Sequence, residues 1–182
     1  MNTNIWLSSP HMGGNELKYI NEAFEENWVA PLGPNVDGFE NDLEQFLGEN
    51  TKVAALSAGT AALHLSLIEC GVEHGDEVIC QSMTFSASAN PIAYCGATPV
   101  FIDSEPDTWN MCPKALKEAI ENRTLKGTRP KAIIVVHLYG MPAKMDEIIA
   151  IAQEYNIPVI EDAAEALGST YKGKACGTFG RF

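Results

Sequence analysis

Three groups of residues in this sequence could do chemistry. The first is the acid pair Glu161 and Asp162, which ends the apolar run of IPVIEDAAEALG. A short apolar run without alternation reads as a strand buried on both faces, so the acids fall at its carboxyl end. In open α/β sheets that edge is where ligands bind. An acid there also serves as a helix N-cap or a solvated loop residue. The second group lies in LSAGTAAL, Leu56 to Leu63, where a strand turns through Gly59 into a helix beginning near Thr60. Free N–H groups at a helix start, beside a threonine hydroxyl, make an anion cradle suited to a phosphate, although any strand-to-helix turn can share the pattern. Neither a P-loop nor GxGxxG is present, which leaves a single small phosphate. The third is Phe85 in SMTFSASANP, just past the strand EVICQ at the same edge. A flat aromatic there either stacks on a heteroaromatic ring or packs into the core.

Together these positions supply a phosphate cradle, a ring stacker and a carboxylate that can pair with a protonated pyridine nitrogen. That is the geometry of a pyridoxal phosphate pocket, with Asp162 as the pyridinium partner. His137 and Tyr139, in VVHLYG, end another strand at that edge, and a lone histidine there reads as structural. His11, His64 and His74 lack metal-ligand spacing and no HExxH occurs, so no metal is expected.

The elements that must position these residues follow from periodicity. Leu17, Ile20, Phe24 and Trp28 mark an amphipathic helix over Asn15 to Trp28, and Val36, Phe39, Leu43, Phe46 and Leu47 mark a second one ending at Gly48. The Pro/Gly-rich loop from Ala30 to Pro34 separates them. From Lys52 onward the strands VAALS, EVICQ, TPVFID, KAIIVVH and IPVIED alternate with helices, the last two of these predicted from Pro113 to about Asn122 and from Ala143 to Tyr155. Five such repeats predict an α/β fold with a mostly parallel sheet and helices on both faces. Residues 1–51 form a helical lead-in and residues 52–182 the α/β domain. Glu121 to Pro130 reads as a polar surface loop, and YKGK, Tyr171 to Lys174, as a tight turn. CGTFGRF carries no capping helix or polar tail, so the polypeptide is expected to stop partway through its fold and to leave the last strand with an unpaired edge.

With 46% hydrophobic and 20% charged residues, the chain is globular material. Its net charge of −12 would repel a phosphate backbone, which excludes nucleic acid as a partner. The five cysteines form no CxxC pair and suit reduced packing thiols. No basic and apolar leader and no stretch of about eighteen apolar residues occurs, so a soluble, cytoplasmic protein without membrane contact is expected.

The segments LSSPHMGGNE, NWVAPLGPNVDGFE, SAGTAALHL, TFSASANPI, PVFIDSEPDTWN, HLYG, KMDEI, EDAAEALG and YKGKACGTFGRF resemble, in order, the nucleotide-sugar aminotransferase family of fold-type I pyridoxal phosphate enzymes. Within it the chain looks most like the branch that aminates UDP-linked 4-keto-6-deoxy-N-acetylglucosamine, giving UDP-N-acetylbacillosamine precursors for glycans or exopolysaccharide. The resemblance implies Gly59 and Thr60 at the cofactor phosphate, Phe85 over the ring and Asp162 at the ring nitrogen. It also places Glu165, where many relatives have glutamine, facing the phenolic oxygen. Asn27, Trp28, Val29 and Ala30 match a segment that touches the sugar nucleotide, which makes the lead-in loop substrate-facing; Val29 and Ala30 equally suit a helix end packed on the core. The family implies a glutamate amino donor and a homodimer. The family's aldimine lysine follows the GTFG segment shortly, and no residue up to Phe182 matches it; Lys172 and Lys174 belong to the preceding turn. The chain is accordingly expected to be the amino-terminal part of such an enzyme, inactive alone. A noncatalytic fold fragment or assembly module, and a sugar dehydratase of the same fold, are the alternatives.

Overall fold

The computed structural model describes residues 4, 6, 9–48 and 51–182, which fall into two units, Met1–Ala55 and Leu56–Phe182. Leu7 and Ser8, which open the LSSPHMGGNE segment, lie outside the described residues, as do Glu49 and Asn50.

In the first unit, α1 (Glu16–Glu25) and α2 (Pro34–Leu47) carry the predicted apolar stripes, and neither buries a residue. The chain leaves α1 through Asn27 in the left-handed region, at φ 59°, and Pro34 opens α2, where a missing N–H costs nothing. The VAALS strand does not form. Its backbone goes elsewhere: Val53 N–H donates to the Glu44 carboxylate at 3.1 Å and Ala55 N–H to that of Glu40 at 2.7 Å. Carboxylates on α2 thus take donors that a strand would give to a neighbour.

The second unit begins with α3 (Gly59–Glu69) and continues through β1 (Glu77–Gln81), α4 (Asn90–Tyr94), β2 (Thr98–Ile102), α5 (Pro113–Leu125), β3 (Ala132–Val136), α6 (Met145–Glu154) and β4 (Val159–Asp162). The four strands are parallel in the order β2-β1-β3-β4. Helix α5 takes in the first residues of the expected surface loop. Side chains alternate across the sheet because the strand period is two. Val78, Cys80, Ala132, Ile134 and Ile160 pack with Leu63 and Leu67 of α3 and Ile92 of α4. Ile79, Ile133, Val135 and Val159 pack with Leu116 and Ile120 of α5 and Met145 and Ile148 of α6. Each such Val, Leu, Ile or Met side chain contributes about 1.5–3 kcal/mol on burial, so both faces hold the strands in register.

The YKGK turn joins the antiparallel β5 (Thr170–Tyr171) and β6 (Lys174–Ala175). Lys172 at φ 51° and Gly173 at φ 82° give it the handedness that suits a two-residue hairpin. The expected bare edge on β4 is also corrected. Arg181 N–H donates to the Val159 carbonyl at 2.7 Å and Glu161 N–H to that of Phe182 at 2.9 Å, so the last residues pair along it.

A loop between β2 and α5 braces the segment after β3. Glu105, 4% exposed, accepts the N–H groups of Asp107 and Thr108 at 2.9 and 2.8 Å, the Thr108 hydroxyl, and Lys144 Nζ at 2.9 Å. That curl delivers the fully buried Asn110, whose Oδ1 accepts Leu138 N–H at 2.9 Å and whose Nδ2 donates to the Met141 carbonyl at 2.8 Å. Gly140 follows at φ 79°, and a Cβ there would stand 2.8 Å from the Glu165 carbonyl oxygen.

Candidate functional site

At the carboxyl end of the second unit's sheet a cavity of about 310 Å³ opens against the amino end of α3. That is the lower end of the range for small-molecule sites. The residues that follow β1 (Thr84, Phe85), β3 (Leu138) and β4 (Ala164, Glu165) line it, with Gly59 and Thr60 from α3 and Asp162 from β4 itself. Gly59, Thr60, Phe85, Asp162 and Glu165, named from the sequence, are therefore brought together. Asn27, Trp28, Val29 and Ala30 belong to the first unit, where Trp28 and Val29 are 50% and 64% exposed; the cavity is lined by the second unit alone.

Each side of the cavity has a local cause. Ala61 and Ala62 N–H both donate to the Ala58 carbonyl, so the first turn of α3 turns the preceding N–H groups, those of Gly59 and Thr60, outward. A Cβ built at Gly59 meets nothing within 4 Å, which leaves a cradle that a side chain would fill. Phe85 is 81% exposed, which settles against core packing. It caps the short 3₁₀ turn Ser86–Ser88, whose last residue is buried.

Asp162 sits half-buried. Its Oδ2 accepts the Ser88 hydroxyl at 2.5 Å, while Oδ1 has only a long 3.4 Å contact from Ala164 N–H. One oxygen is thus engaged and the other keeps its accepting capacity beside the cavity. Ser88 has a single hydroxyl hydrogen and gives it to the carboxylate, so at the 2.7 Å contact between Thr84 Oγ1 and Ser88 Oγ the threonine is the donor. Glu165 Oε2 accepts Tyr139 N–H at 2.6 Å. Burial, and then the charge of Asp162, push the Cys80 thiol up to about 12, which removes it as a nucleophile beneath the site.

Glu161, one residue earlier, points to the other face of the sheet. It accepts His137 Nε2 at 2.9 Å and the N–H groups of Gly177, Phe179 and Gly180 at 2.9, 2.5 and 2.6 Å. His137 is fully buried and its Nδ1 accepts Ala143 N–H at 3.1 Å, so Nε2 carries the hydrogen given to Glu161. Burial would raise the Glu161 pKa; the hydrogen bonds from His137, Gly180 and Gly177 outweigh it and hold the group below the usual carboxylate range. His137 is structural, as its sequence reading has it. Among the described residues no cluster of three or more His, Cys, Asp or Glu is placed to hold a metal, and no helix is long and apolar enough to cross a membrane.

Residues 10–182 match the DegT/DnrJ/EryC1/StrS aminotransferase family. The chain belongs to that family. It is 58% identical over 182 residues to EpsN of Bacillus subtilis (strain 168), provisionally named a pyridoxal phosphate-dependent aminotransferase, covering all of this chain and 47% of that protein. It is 44% identical over 178 residues to the GDP-perosamine synthase of Escherichia coli O157:H7, covering 97% of this chain and 46% of that one. A family aminotransferase from Brucella abortus, known as a crystal structure, superposes with a TM-score of 0.86 at 39% identity, over 90% of this chain and 44% of that one. The chain thus spans about half the length of the curated relatives it matches.

Family members of this kind use pyridoxal phosphate, and the residues present fit that group. An open cradle at a helix start suits a phosphate, an exposed aromatic suits a flat ring, and a carboxylate oxygen without a strong donor suits a protonated ring nitrogen. Ser88, Thr84 and Asn110 were not singled out from the sequence, and Glu161 was named there only as one of the acid pair, without its structural role. For Glu161 a signal existed, because neighbouring acids on a strand must point to opposite faces. Hydroxyls at 84 and 88 give no comparable sign.

Proposed function

We propose that the chain forms the cofactor-binding part of a nucleotide-sugar aminotransferase, which moves an amino group from a donor amino acid, glutamate, to C4 of a UDP-linked 4-keto-6-deoxy-N-acetylhexosamine for glycan or exopolysaccharide synthesis. The reading includes cytoplasmic location and a homodimer in the whole protein. Exposed Leu17, Phe24, Phe39 and Phe46 on α1 and α2 support a partner surface there. The observation that carries the proposal is Asp162, with one oxygen held by Ser88 and the other met only by a long contact, lining a cavity shared with the amino end of α3 and Phe85.

The chemistry that pyridoxal phosphate supplies when bound is amino-group transfer in two halves, with the protonated pyridine ring as electron sink. Gly59 and Thr60 hold the phosphate through N–H groups and the Thr60 hydroxyl, aided by the positive end of the α3 dipole. Phe85 covers one ring face and excludes water from it. Asp162 holds the proton at the ring nitrogen. Glu165 stands at the phenolic side, where a carboxylate and that oxygen must share a proton. Asn27, Trp28, Val29 and Ala30 contact the sugar nucleotide in this reading.

The test is a pyridoxal phosphate titration of this chain. The wild type should bind, and Asp162→Asn should bind roughly tenfold to a hundredfold more weakly with an unchanged melting temperature, since a hydrogen bond to a charged group is worth about 1.5–3 kcal/mol. Equal affinity for the two would remove the pyridinium assignment. The 44% identity to a GDP-perosamine synthase favours a second sugar reading, a GDP-linked 4-keto-6-deoxyhexose. Amination assays of the whole protein with both nucleotide sugars decide between them.

A further inference from the structure

We propose that Ser88, with Thr84 behind it, is a positioning residue that fixes the plane of the Asp162 carboxylate and so sets the direction in which its second oxygen accepts, so that the preference of the site for a pyridine nitrogen depends on a hydroxyl that never touches the cofactor. This inference rests on the reading just given and names a part of that same site.

Ser88 is fully buried, its N–H donates to the Phe85 carbonyl at 3.0 Å, and its hydroxyl lies between Thr84 Oγ1 at 2.7 Å and Asp162 Oδ2 at 2.5 Å. Every hydrogen in that chain has one direction. Thr84 gives to Ser88, Ser88 gives to Oδ2, and the carboxylate can only accept. A carboxylate on a strand end has a broad, roughly two-fold torsion about its last bond. With Oδ2 anchored by a donor whose backbone is itself held, that torsion is fixed and Oδ1, met only by the long Ala164 contact, keeps its accepting capacity in a set direction. The sequence separation of 74 between the partners shows that the fold brings the serine there; local sequence does not. Orienting partners of this kind tune a functional ligand through its geometry, and an error of about 1 Å at such a contact is costly.

The experiment compares pyridoxal phosphate with its deaza analogue, in which carbon replaces the ring nitrogen, using fluorescence titration of the chain in wild type, Ser88→Ala and Ser88→Thr. The wild type should prefer the nitrogen-bearing cofactor. Ser88→Ala should lose about threefold to tenfold in affinity for pyridoxal phosphate and almost none for the deaza analogue, and Ser88→Thr, which keeps the hydroxyl, should restore the preference. If Ser88→Ala weakens both ligands alike, or keeps the wild-type preference, Ser88 does not orient Asp162 and the inference is overturned while the cofactor reading stands. If the wild type itself shows no preference, the Asp162 assignment falls and takes the inference with it. Should circular dichroism show Ser88→Ala unfolded, Thr84→Val decides: it removes the donor to Ser88 and should reduce the preference in the same direction, and an unchanged preference overturns the proposal.

Discussion

Glu161 and Asp162 are adjacent carboxylates on one strand, and the two faces of β4 treat them in opposite ways. On the α5 and α6 side Glu161 is 8% exposed and saturated by four donors, three of them N–H groups of Gly177, Phe179 and Gly180. On the α3 and α4 side Asp162 has one strong donor and an oxygen to spare. A carboxylate whose lone pairs are all met within the chain can do nothing for a ligand, whereas one left half-satisfied beside a cavity is completed by it. Satisfaction, more than burial or residue type, separates the structural acid from the one proposed to meet the cofactor.

The sharpest way to break this contrast is to neutralise Glu161. In Glu161→Gln the amide nitrogen must face N–H donors that the carboxylate accepted, leaving buried groups unpaired and the segment Gly177–Gly180 unpinned. The expected cost is about 3 kcal/mol, a drop in melting temperature on the order of 10 °C. Asp162→Asn, one residue away and nearly identical in shape, should leave the melting temperature within about 1 °C, its partner Ser88 being able to turn its hydroxyl. Thermal denaturation of both variants followed by circular dichroism checks this, and equal losses would erase the distinction.

The same contrast explains what was legible in the sequence. Gly59, Thr60, Phe85 and Asp162 could be placed because each stands next to a strand or helix end that periodicity locates, and parallel strands put those ends at one edge. Ser88 and Asn110 could not, since their roles rest on partners 74 and 28 residues away. VAALS looks like the other strands in composition, yet its N–H groups go to Glu40 and Glu44 of α2; β propensity reports a fit to a pleated surface and not the presence of a neighbour. The apolar stripes of α1 and α2 were equally plain, and neither helix has a buried residue. Periodicity tells that a face can be covered without telling what covers it.

A smaller effect is read through pH. Glu105 belongs to the brace behind Leu138; burial would raise its pKa, but Lys144, the Thr108 hydroxyl and the N–H groups of Asp107 and Thr108 outweigh that and hold it at about 2, against an ordinary value of 4.5. A depressed pKa means that the unfolded chain binds the proton more readily than the folded one. The stabilisation is therefore present above about pH 4.5 and is lost as the pH falls toward 2, with Glu161 adding in the same direction. Urea midpoints should hold level from pH 7 to 5 and decline below, and Glu105→Gln should flatten that decline. A midpoint that rises on acidification would contradict the assignment.

The smallest expected effect concerns Phe85, because so little holds it. At 81% exposure its ring contributes almost nothing to the core, so Phe85→Ala should change the unfolding free energy by less than about 0.5 kcal/mol. Its value appears only with a ligand, where stacking of aromatic rings is worth about 0.5–1.5 kcal/mol beyond area burial. Affinity for pyridoxal phosphate should then fall about twofold to tenfold in Phe85→Ala and hold in Phe85→Tyr, and the deaza analogue should suffer equally because a stacked face does not sense the ring nitrogen. That equality opposes the selectivity expected at Ser88 and separates a side chain that meets the ring face from one that acts on the ring nitrogen only through Asp162. A Phe85→Ala chain with reduced melting temperature and unchanged affinity would return the ring to the packing of the 3₁₀ turn Ser86–Ser88.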